Sequence, residues 1–342
     1  MLRSHGLARI LALVATVLAL VAAVGCGDSS DDDAASGSTA ATQEQAETAE
    51  VRLKVTPQAS FAPLQLGIDQ GFFEENGIDL KLETTNDPTN TPPQIVAGQV
   101  EGGSWTWGSL PVLTSAGLPI VAVAPIDTGG ATAEDDFLKI VALRDSGITS
   151  IRGLEGKTVG VNTVGGLAEL HVRKAAENAG IDPQSVRVLV VPFATMNAAL
   201  RARRVDAVSQ VEPFLTDLVD NTSVNILAGS NVEIQPNLPF ATVIMSSRFV
   251  EENPDVVRRF QLGVQRSMEY AGTHEDELRE VLTTFSNIPA DVAAKVSLPQ
   301  AATSMDLDGI QAQVDALREY DFLDRDVDIS EHVIEYPLPE EN

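Results

Sequence analysis

The chain has 342 residues, of which 44% are hydrophobic, so it can bury a substantial core and form roughly two lobes. Acidic residues outnumber basic residues by 49 to 23, which gives a formal net charge of −26. Because nucleic-acid binding needs clustered Lys and Arg to meet phosphates, this balance argues against nucleic acid as a partner.

The first 25 residues have the pattern of a signal peptide. Arg3 and Arg9 form a basic start, and residues 10–24 form an apolar run that is too short for an ordinary membrane span. The run ends in the letters AVGC, which resemble the lipobox of bacterial lipoproteins and imply that Cys26 is lipidated. The alternative is an ordinary cleaved signal followed by a chance cysteine. Because Cys26 is the only cysteine, the sequence excludes an internal disulfide.

Residues 26–50 differ in composition from the rest of the chain. They are rich in Ser, Asp, Ala, Thr, Gln and Glu and almost lack large apolar side chains. Such a segment cannot bury enough apolar surface to fold, so it predicts a flexible tether. The expected location is extracytoplasmic, with a lipid anchor on the outer face of the cell membrane.

The first folded segment has the pattern of a strand, a helix and a second strand. Residues 51–55 and 78–82 alternate apolar and polar side chains, which is typical of strands. Residues 64–75 between them have helical apolar spacing, and Gly77 fits a left-handed helix end. A βαβ unit of this kind predicts a parallel sheet.

The only two tryptophans, Trp105 and Trp107, follow a third predicted strand. Two residues apart in a strand, they would share one face. One interpretation is an aromatic platform for a planar ligand, and the other is packing within a lobe; we expect at least one of them in the pocket. Farther along, Asp127 begins a second candidate pocket loop, although it also fits a simple turn.

Residues 156–171 read as a short strand, a glycine-rich loop and the start of a helix. Free amides at a helix start and the helix dipole favour an anion at such a place. The segment is not a nucleotide-binding P-loop, because Gly166 and Leu167 stand where that motif needs Lys and Ser or Thr. The alternative is a tight strand-to-helix turn that binds nothing.

The second half of the chain repeats the same plan. Residues 137–143 and 186–191 read as strands, and Thr195 is predicted to cap the helix that follows. Glu212 precedes a proline, where its carboxylate could meet a ligand amine or simply begin a helix. Residues 240–245 read as a strand that returns to the first lobe, and mainly helical spacing follows to the C-terminal region.

Three stretches resemble the substrate-binding proteins of ABC transporters for nitrate, sulfonate and taurine and for thiamine-pyrimidine precursors (the NMT1-like and SsuA-like group). Residues 62–80 read APLQLGIDQGFFEENGIDL, residues 95–103 read IVAGQVEGG, and residues 148–160 read ITSIRGLEGKTVG. The second stretch has Glu101 where the family usually has Asp. The resemblance covers about residues 52–335 and is loose over the last quarter.

The resemblance implies an α/β fold of the two-lobe periplasmic-binding-protein type II, with each lobe a mostly parallel sheet flanked by helices and two crossover strands. Lobe 1 is expected to comprise residues 51–141 and 241–342, and lobe 2 residues 142–240. A ligand would bind between the lobes, and the closed protein, as a monomer, would deliver it to a membrane permease driven by a separate ATPase.

The expected ligand contacts combine aromatic, hydroxyl, amide, carboxylate and glycine positions in the predicted loops. These candidate contacts are Phe61, Trp105, Thr106, Asp127, Thr163, Gly165, Gly166, Thr195, Asn197 and Glu212.

The sequence favours a binding protein over an enzyme. It lacks a G-x-S-x-G elbow, and the four His are scattered without metal-ligand spacing, so no catalytic group, metal or cofactor is expected. Two Trp and Glu212 favour a planar nitrogenous or aromatic ligand; an alkanesulfonate, taurine or nitrate is the alternative. Alternatives of another class are a ligand sensor outside transport and an enzyme like the thiamine-pyrimidine synthases, which carry a cysteine-rich motif absent here.

Overall fold

The computed structural model describes residues 47–337. The predicted signal peptide, the lipidation site at Cys26 and nearly all of the predicted tether lie outside these residues. Within the described part of the chain, no helix is both long and apolar enough to cross a membrane.

Residues 47–337 form twelve strands and eleven α-helices. The strands are β1 (Ala49–Val55), β2 (Ile78–Thr84), β3 (Gly102–Thr106), β4 (Ile120–Pro125), β5 (Asp127–Thr128), β6 (Leu138–Leu143), β7 (Thr158–Val161), β8 (Arg187–Val190), β9 (Ala207–Val211), β10 (Val224–Gly229), β11 (Ala241–Ser246) and β12 (Gln300–Ala301). The helices are α1 (Ala62–Asp69), α2 (Thr91–Val96), α3 (Leu110–Ser115), α4 (Leu167–Asn178), α5 (Phe193–Arg201), α6 (Phe214–Asn221), α7 (Ser247–Glu252), α8 (Pro254–Ala271), α9 (Glu275–Phe285), α10 (Ala290–Ala293) and α11 (Leu307–Glu319).

The first five-stranded sheet has the order β2-β1-β3-β11-β4. Strand β1 is parallel to β2 and β3, as the predicted βαβ unit requires. Strand β11 is antiparallel to both β3 and β4. In β1 the alternating residues Val51, Leu53 and Val55 are fully buried, which explains how the sequence pattern fixes the face that meets the core.

The second five-stranded sheet has the order β10-β6-β9-β7-β8. Strand β7 is parallel to β8 and β9, whereas β6 is antiparallel to β9 and β10. Each sheet therefore has one strand that runs opposite to the other four, β11 in the first sheet and β6 in the second. In both sheets this strand lies next to an edge strand. This repeated order is the mixed α/β architecture that the sequence predicted, with two mostly parallel sheets flanked by helices.

The long helix α8 packs its apolar face against the core, on the side of the first sheet. Val257, Phe260, Val264 and Met268 recur at helical spacing and are at most 2% exposed. Their burial removes four large apolar side chains from water, each contributing on the order of 2 kcal/mol.

Of three local predictions, two differ from the structure and one is confirmed. Helix α1 ends at Asp69, not near residue 75, because Gly71 adopts a left-handed φ of 79°. Gly77, with φ of 64°, does adopt the predicted left-handed conformation. Helix α5 begins at Phe193 after Pro192, so Thr195 lies inside the first turn and its hydroxyl donates to the Pro192 carbonyl.

The two tryptophans do not share a strand face. Strand β3 ends at Thr106, and the chain turns into a short 3-10 helix over Trp107–Ser109. Trp107 consequently turns into the core, where it is 1% exposed, while Trp105 stays half-buried. The platform interpretation therefore concerns Trp105 and the packing interpretation concerns Trp107.

Candidate ligand-binding site

A cavity of about 50 Å³ lies where the loops after β1, β3 and β7 meet. Parallel sheets expose such loops at the carboxyl ends of their strands, where ligands of α/β proteins usually bind. The residues that line the cavity lie near both sheets. The residues that line it are Thr56, Gln58, Phe61, Pro88, Ser104, Trp105, Thr106, Ser109, Leu138, Asn162, Thr163, Leu167, Ala168, His171, Phe193 and Phe240.

Contacts among strands and their neighbouring loops fix the positions of several cavity residues. Ser104 in β3 accepts a hydrogen bond from the Thr56 amide at 3.0 Å, which ties the loop after β1 to the end of β3. Trp105 lies opposite Thr242 in the β3–β11 register, so the central strand pair sets its position. Phe240 packs edge-on against Phe137 with ring centroids 5.0 Å apart. These contacts hold the aromatic residues of the cavity, Trp105 and Phe240, in fixed positions.

Three side chains bring buried polar atoms without a hydrogen-bond partner to this cavity. They are the Gln58 carbonyl oxygen Oε1, the Trp105 indole nitrogen Nε1 and both ring nitrogens of His171. A buried polar atom without a partner costs about 1–3 kcal/mol, so such atoms are rare in folded proteins. Their convergence on one cavity marks it as a place where a polar ligand would be bound.

His171 on α4 is the most unusual of these groups. Its side chain is fully buried, and burial lowers the pKa of the imidazole to about 3. The ring is therefore neutral at physiological pH, with one nitrogen that donates a hydrogen bond and one that accepts. Within residues 47–337, no Lys or Arg side chain lines the cavity, so its polarity comes from uncharged groups.

Four of the predicted contact residues line the cavity: Phe61, Trp105, Thr106 and Thr163. They come from the loop after β1, the end of β3 and the loop after β7. The loop positions were predictable because each follows a strand that the sequence pattern indicates.

Gly165 and Gly166 lie beside the cavity but not on its lining. Two of the amides that we expected an anion to use are bonded within the protein. The Gly165 amide donates to Glu169 Oε2 at 3.0 Å, and the Leu167 amide donates to the Ser109 hydroxyl at 3.3 Å. Glu169 is in turn paired with Arg173 in the same helix. These two bonds favour the alternative interpretation, a strand-to-helix turn, at Gly165 and Leu167.

Asp127 and Glu212 are buried away from the cavity lining. Asp127 accepts a hydrogen bond from the Ala241 amide at 2.9 Å, and burial raises the pKa of its carboxyl to about 7. Glu212 accepts from both the amide and the hydroxyl of Thr216, and burial raises its pKa to about 7 as well. The bonds of Glu212 give its carboxyl a structural position, whereas Asp127 Oδ2 is buried without a hydrogen-bond partner and Asp127 lines a different space.

Thr195 and Asn197 on α5 also point elsewhere. The Thr195 hydroxyl bonds to its own helix turn. The Asn197 side chain donates to the Phe214 carbonyl and accepts from Gln210 at 2.7 Å, which ties α5 to α6 and β9. Neither residue lines the cavity.

Sequence reasoning missed Gln58 and His171, the two most informative lining residues. His171 lies one helical turn after Leu167, so the two residues share the face of α4 that begins at the glycine loop. Gln58 follows the end of β1 by three positions, at the carboxyl edge where ligands bind. A search of strand ends for uncharged polar residues would have found Gln58, and a search of the first turns of the following helix would have found His171.

Residues 58–278 match the family described as NMT1/THI5 like, and this match covers more than half of the chain. The chain belongs to the NMT1/THI5-like family. This assignment agrees with the resemblance that the three sequence stretches indicated.

Curated relatives of this NMT1/THI5-like chain are distant. It is 25% identical over 255 residues to a formylaminopyrimidine-binding protein of Halalkalibacterium halodurans, which covers 72% of this chain and 73% of the relative. It is 24% identical over 220 residues to a 4-amino-5-hydroxymethyl-2-methylpyrimidine phosphate synthase of Aspergillus parasiticus, which covers 61% of this chain. The match spans 62% of that fungal protein, less than two thirds of its length.

Solved structures share the fold of this NMT1/THI5-like chain. The alkanesulfonate-binding protein SsuA from Xanthomonas axonopodis pv. citri, bound to MOPS, superposes with a TM-score of 0.71 at 17% identity, covering 84% of this chain and 99% of SsuA. The periplasmic nitrate-binding protein NrtA from Synechocystis PCC 6803 gives a TM-score of 0.71 at 14% identity, covering 84% of this chain and 86% of NrtA. At these identities the likeness establishes the periplasmic-binding-protein fold.

Proposed function

We propose that this protein is an extracytoplasmic solute-binding protein. It captures a small, uncharged, nitrogen-containing ring compound between two lobes and delivers it to an ABC permease and its ATPase. Lobe 1 is proposed to contain the first sheet, residues 51–137 and 241–337, and lobe 2 the second sheet, residues 138–240, since β6 pairs with β9 and β10. The protein acts as a monomer, held at the outer face of the membrane by a lipid on Cys26.

The observation that carries the proposal is the set of unpartnered atoms at Gln58, Trp105 and His171. The indole N–H needs an acceptor, the Gln58 oxygen needs a donor, and neutral His171 needs one of each. An aminopyrimidine offers ring nitrogens that accept and an amino group that donates. The formylaminopyrimidine-binding relative supports the same class of ligand.

The absence of a lining Lys or Arg within residues 47–337 argues against a small oxyanion. A sulfonate, nitrate or bicarbonate ion loses its hydration when buried, and cationic or multiple amide partners must offset that cost. The helix-start amides at Gly165 and Leu167 are already bonded within the protein. An uncharged ring compound carries no comparable desolvation cost.

Closure of the two lobes around the ligand is the proposed mechanism. Helix α4 meets α11 through Lys174, which lies 2.8 Å from Glu319. Next to this pair, the Tyr320 hydroxyl donates to Glu177 at 2.8 Å. A ligand that bonds to Gln58 and Trp105 on one side and His171 on the other would add to these contacts and stabilise the closed state.

A thermal-shift screen of the purified protein tests the proposal. Aminopyrimidines at about 100 times their Kd should add roughly 2.7 kcal/mol to the free energy of unfolding. Alkanesulfonates, taurine, nitrate and bicarbonate should give no shift. Stabilisation by an anion alone would contradict the ring assignment. Formation of 4-amino-5-hydroxymethyl-2-methylpyrimidine phosphate by the purified protein, in a separate assay, would favour the synthase alternative that the fungal relatives raise.

A further inference from the structure

A second, narrow space, the neck, adjoins the central cavity. Five residues line both the cavity and the neck, namely Thr56, Gln58, Pro88, Asn162 and Phe193. The neck has a volume of about 10 Å³, close to what one water molecule needs.

A much larger surface groove of about 720 Å³ adjoins the neck. Four residues line both the neck and the groove: Pro57, Asn86, Ala194 and Phe214. Cavity, neck and groove, together the passage, therefore lie next to one another in that order. The passage runs between the loop after β1 on one side and the start of α5 on the other.

The groove offers apolar and uncharged polar surface. Phe214 and Phe285 contribute aromatic surface, and Leu82 contributes an aliphatic side chain. Asp69 is the one charged residue on its described lining, and Gln65 donates a hydrogen bond to that carboxylate at 2.8 Å. The buried Ser286 hydroxyl lines the groove without a hydrogen-bond partner. It could bond to a carbonyl or hydroxyl group of an occupant.

We propose that this groove is a second subsite for the distal part of the same ligand. The inference rests on the proposed function, since the polar cavity holds the ring. The ligand is then a nitrogenous ring that carries an uncharged substituent of several atoms, which passes through the neck and lies against Phe214 and Phe285. A bare ring fills only the cavity and leaves the groove unused.

Calorimetry with ring compounds of different substituent length tests this subsite. The probes are 4-amino-5-aminomethyl-2-methylpyrimidine acylated on the aminomethyl nitrogen with either a formyl or a hexanoyl group. The hexanoyl compound should bind the wild-type protein at least tenfold more tightly than the formyl compound. The added chain would bury apolar surface in the groove, which the formyl group is too short to reach.

Two alanines of α5 provide the test variant and its control. Ala194 is exposed and lines both neck and groove, so Ala194→Trp should fill the passage, abolish the hexanoyl advantage and leave formyl binding within about threefold of wild type. Ala202, exposed just beyond the other end of α5, lines none of these spaces, so Ala202→Trp should keep the advantage.

Equal affinity of the two compounds for the wild-type protein would overturn the subsite while leaving the ring assignment intact. Survival of the hexanoyl advantage in Ala194→Trp would also overturn it. Failure of both compounds to bind would instead overturn the ring assignment, and the subsite that rests on it.

Discussion

The Leu167 amide, at the first turn of α4, donates a hydrogen bond to the Ser109 hydroxyl at 3.3 Å. Ser109 follows the first sheet's strand β3, and Leu167 follows the second sheet's strand β7, so this bond joins the two sides of the cavity. A Cβ atom added at Gly166 would lie only 2.9 Å from the same hydroxyl oxygen. The glycine at position 166 therefore allows the two sides of the cavity to approach each other closely.

Loss of that bond should weaken ligand binding. In Ser109→Ala the Leu167 amide loses its partner, and the closed arrangement loses about 1 kcal/mol, which corresponds to an affinity about fivefold lower. Calorimetry measures the affinity, and small-angle scattering measures closure. Ser185→Ala is the control, since the Ser185 hydroxyl bonds within its own turn. Wild-type affinity and scattering in Ser109→Ala would contradict this role.

The two tryptophans should respond differently to the same change. Trp105→Phe keeps an aromatic ring but removes the unpartnered Nε1–H, so affinity should fall by at least about fivefold with little loss of stability. Trp107→Phe, in the core, should lower the free energy of unfolding and leave affinity near wild type. Fluorescence titration and chemical denaturation separate the two effects. Equal affinities in the two variants would count against Trp105 as a contact.

His171 should make stability fall as the pH falls. Its pKa is about 3 in the folded protein against 6.5 ordinarily, so below pH 6.5 the unfolded chain takes up a proton that the folded protein does not. From pH 7 to pH 5, the wild type should lose about 2 kcal/mol more stability than His171→Leu. Urea denaturation at the two pH values measures this difference. Identical pH dependence in the wild type and His171→Leu would refute the prediction.

Glu212 should have the opposite pH effect. Burial raises the pKa of its carboxyl from 4.5 to about 7, so its contribution to stability is present below pH 4.5 and is lost as the pH rises through 7. Relative to the wild type, Glu212→Gln should gain about 2 kcal/mol of stability between pH 5 and pH 8. Urea denaturation provides the measurement, with exposed Glu251→Gln as the control. A constant difference between the wild type and Glu212→Gln would contradict the shifted pKa.

Periodicity and turn residues predicted the βαβ units, and the family resemblance predicted the two-lobe architecture. The alternating pattern of β1 and β2 fixed their parallel pairing, and the second half repeated the plan from β7 onward. Boundaries were harder, because they depend on tertiary contacts. The 3-10 turn after Thr106 rotates Trp107 into the core, and no period in the sequence marks that turn.

The site was predicted only in part because a residue type does not reveal its partners. Asn197 and Glu212 looked like ligand contacts, yet Gln210 and Thr216 satisfy them. Gln58 and His171 looked ordinary, yet the fold buries them without partners. Whether a buried polar atom is satisfied depends on neighbours that are distant in the chain, so only the folded structure distinguishes these cases.

A crystal structure of the protein grown with an aminopyrimidine tests the central claim most directly. The account predicts that the ring lies between the sheets, bonded to the Trp105 indole N–H, the Gln58 carbonyl oxygen and a His171 nitrogen. A ring bound elsewhere, or an anion held at the start of α4 after the Ser109 contact opens, would contradict it.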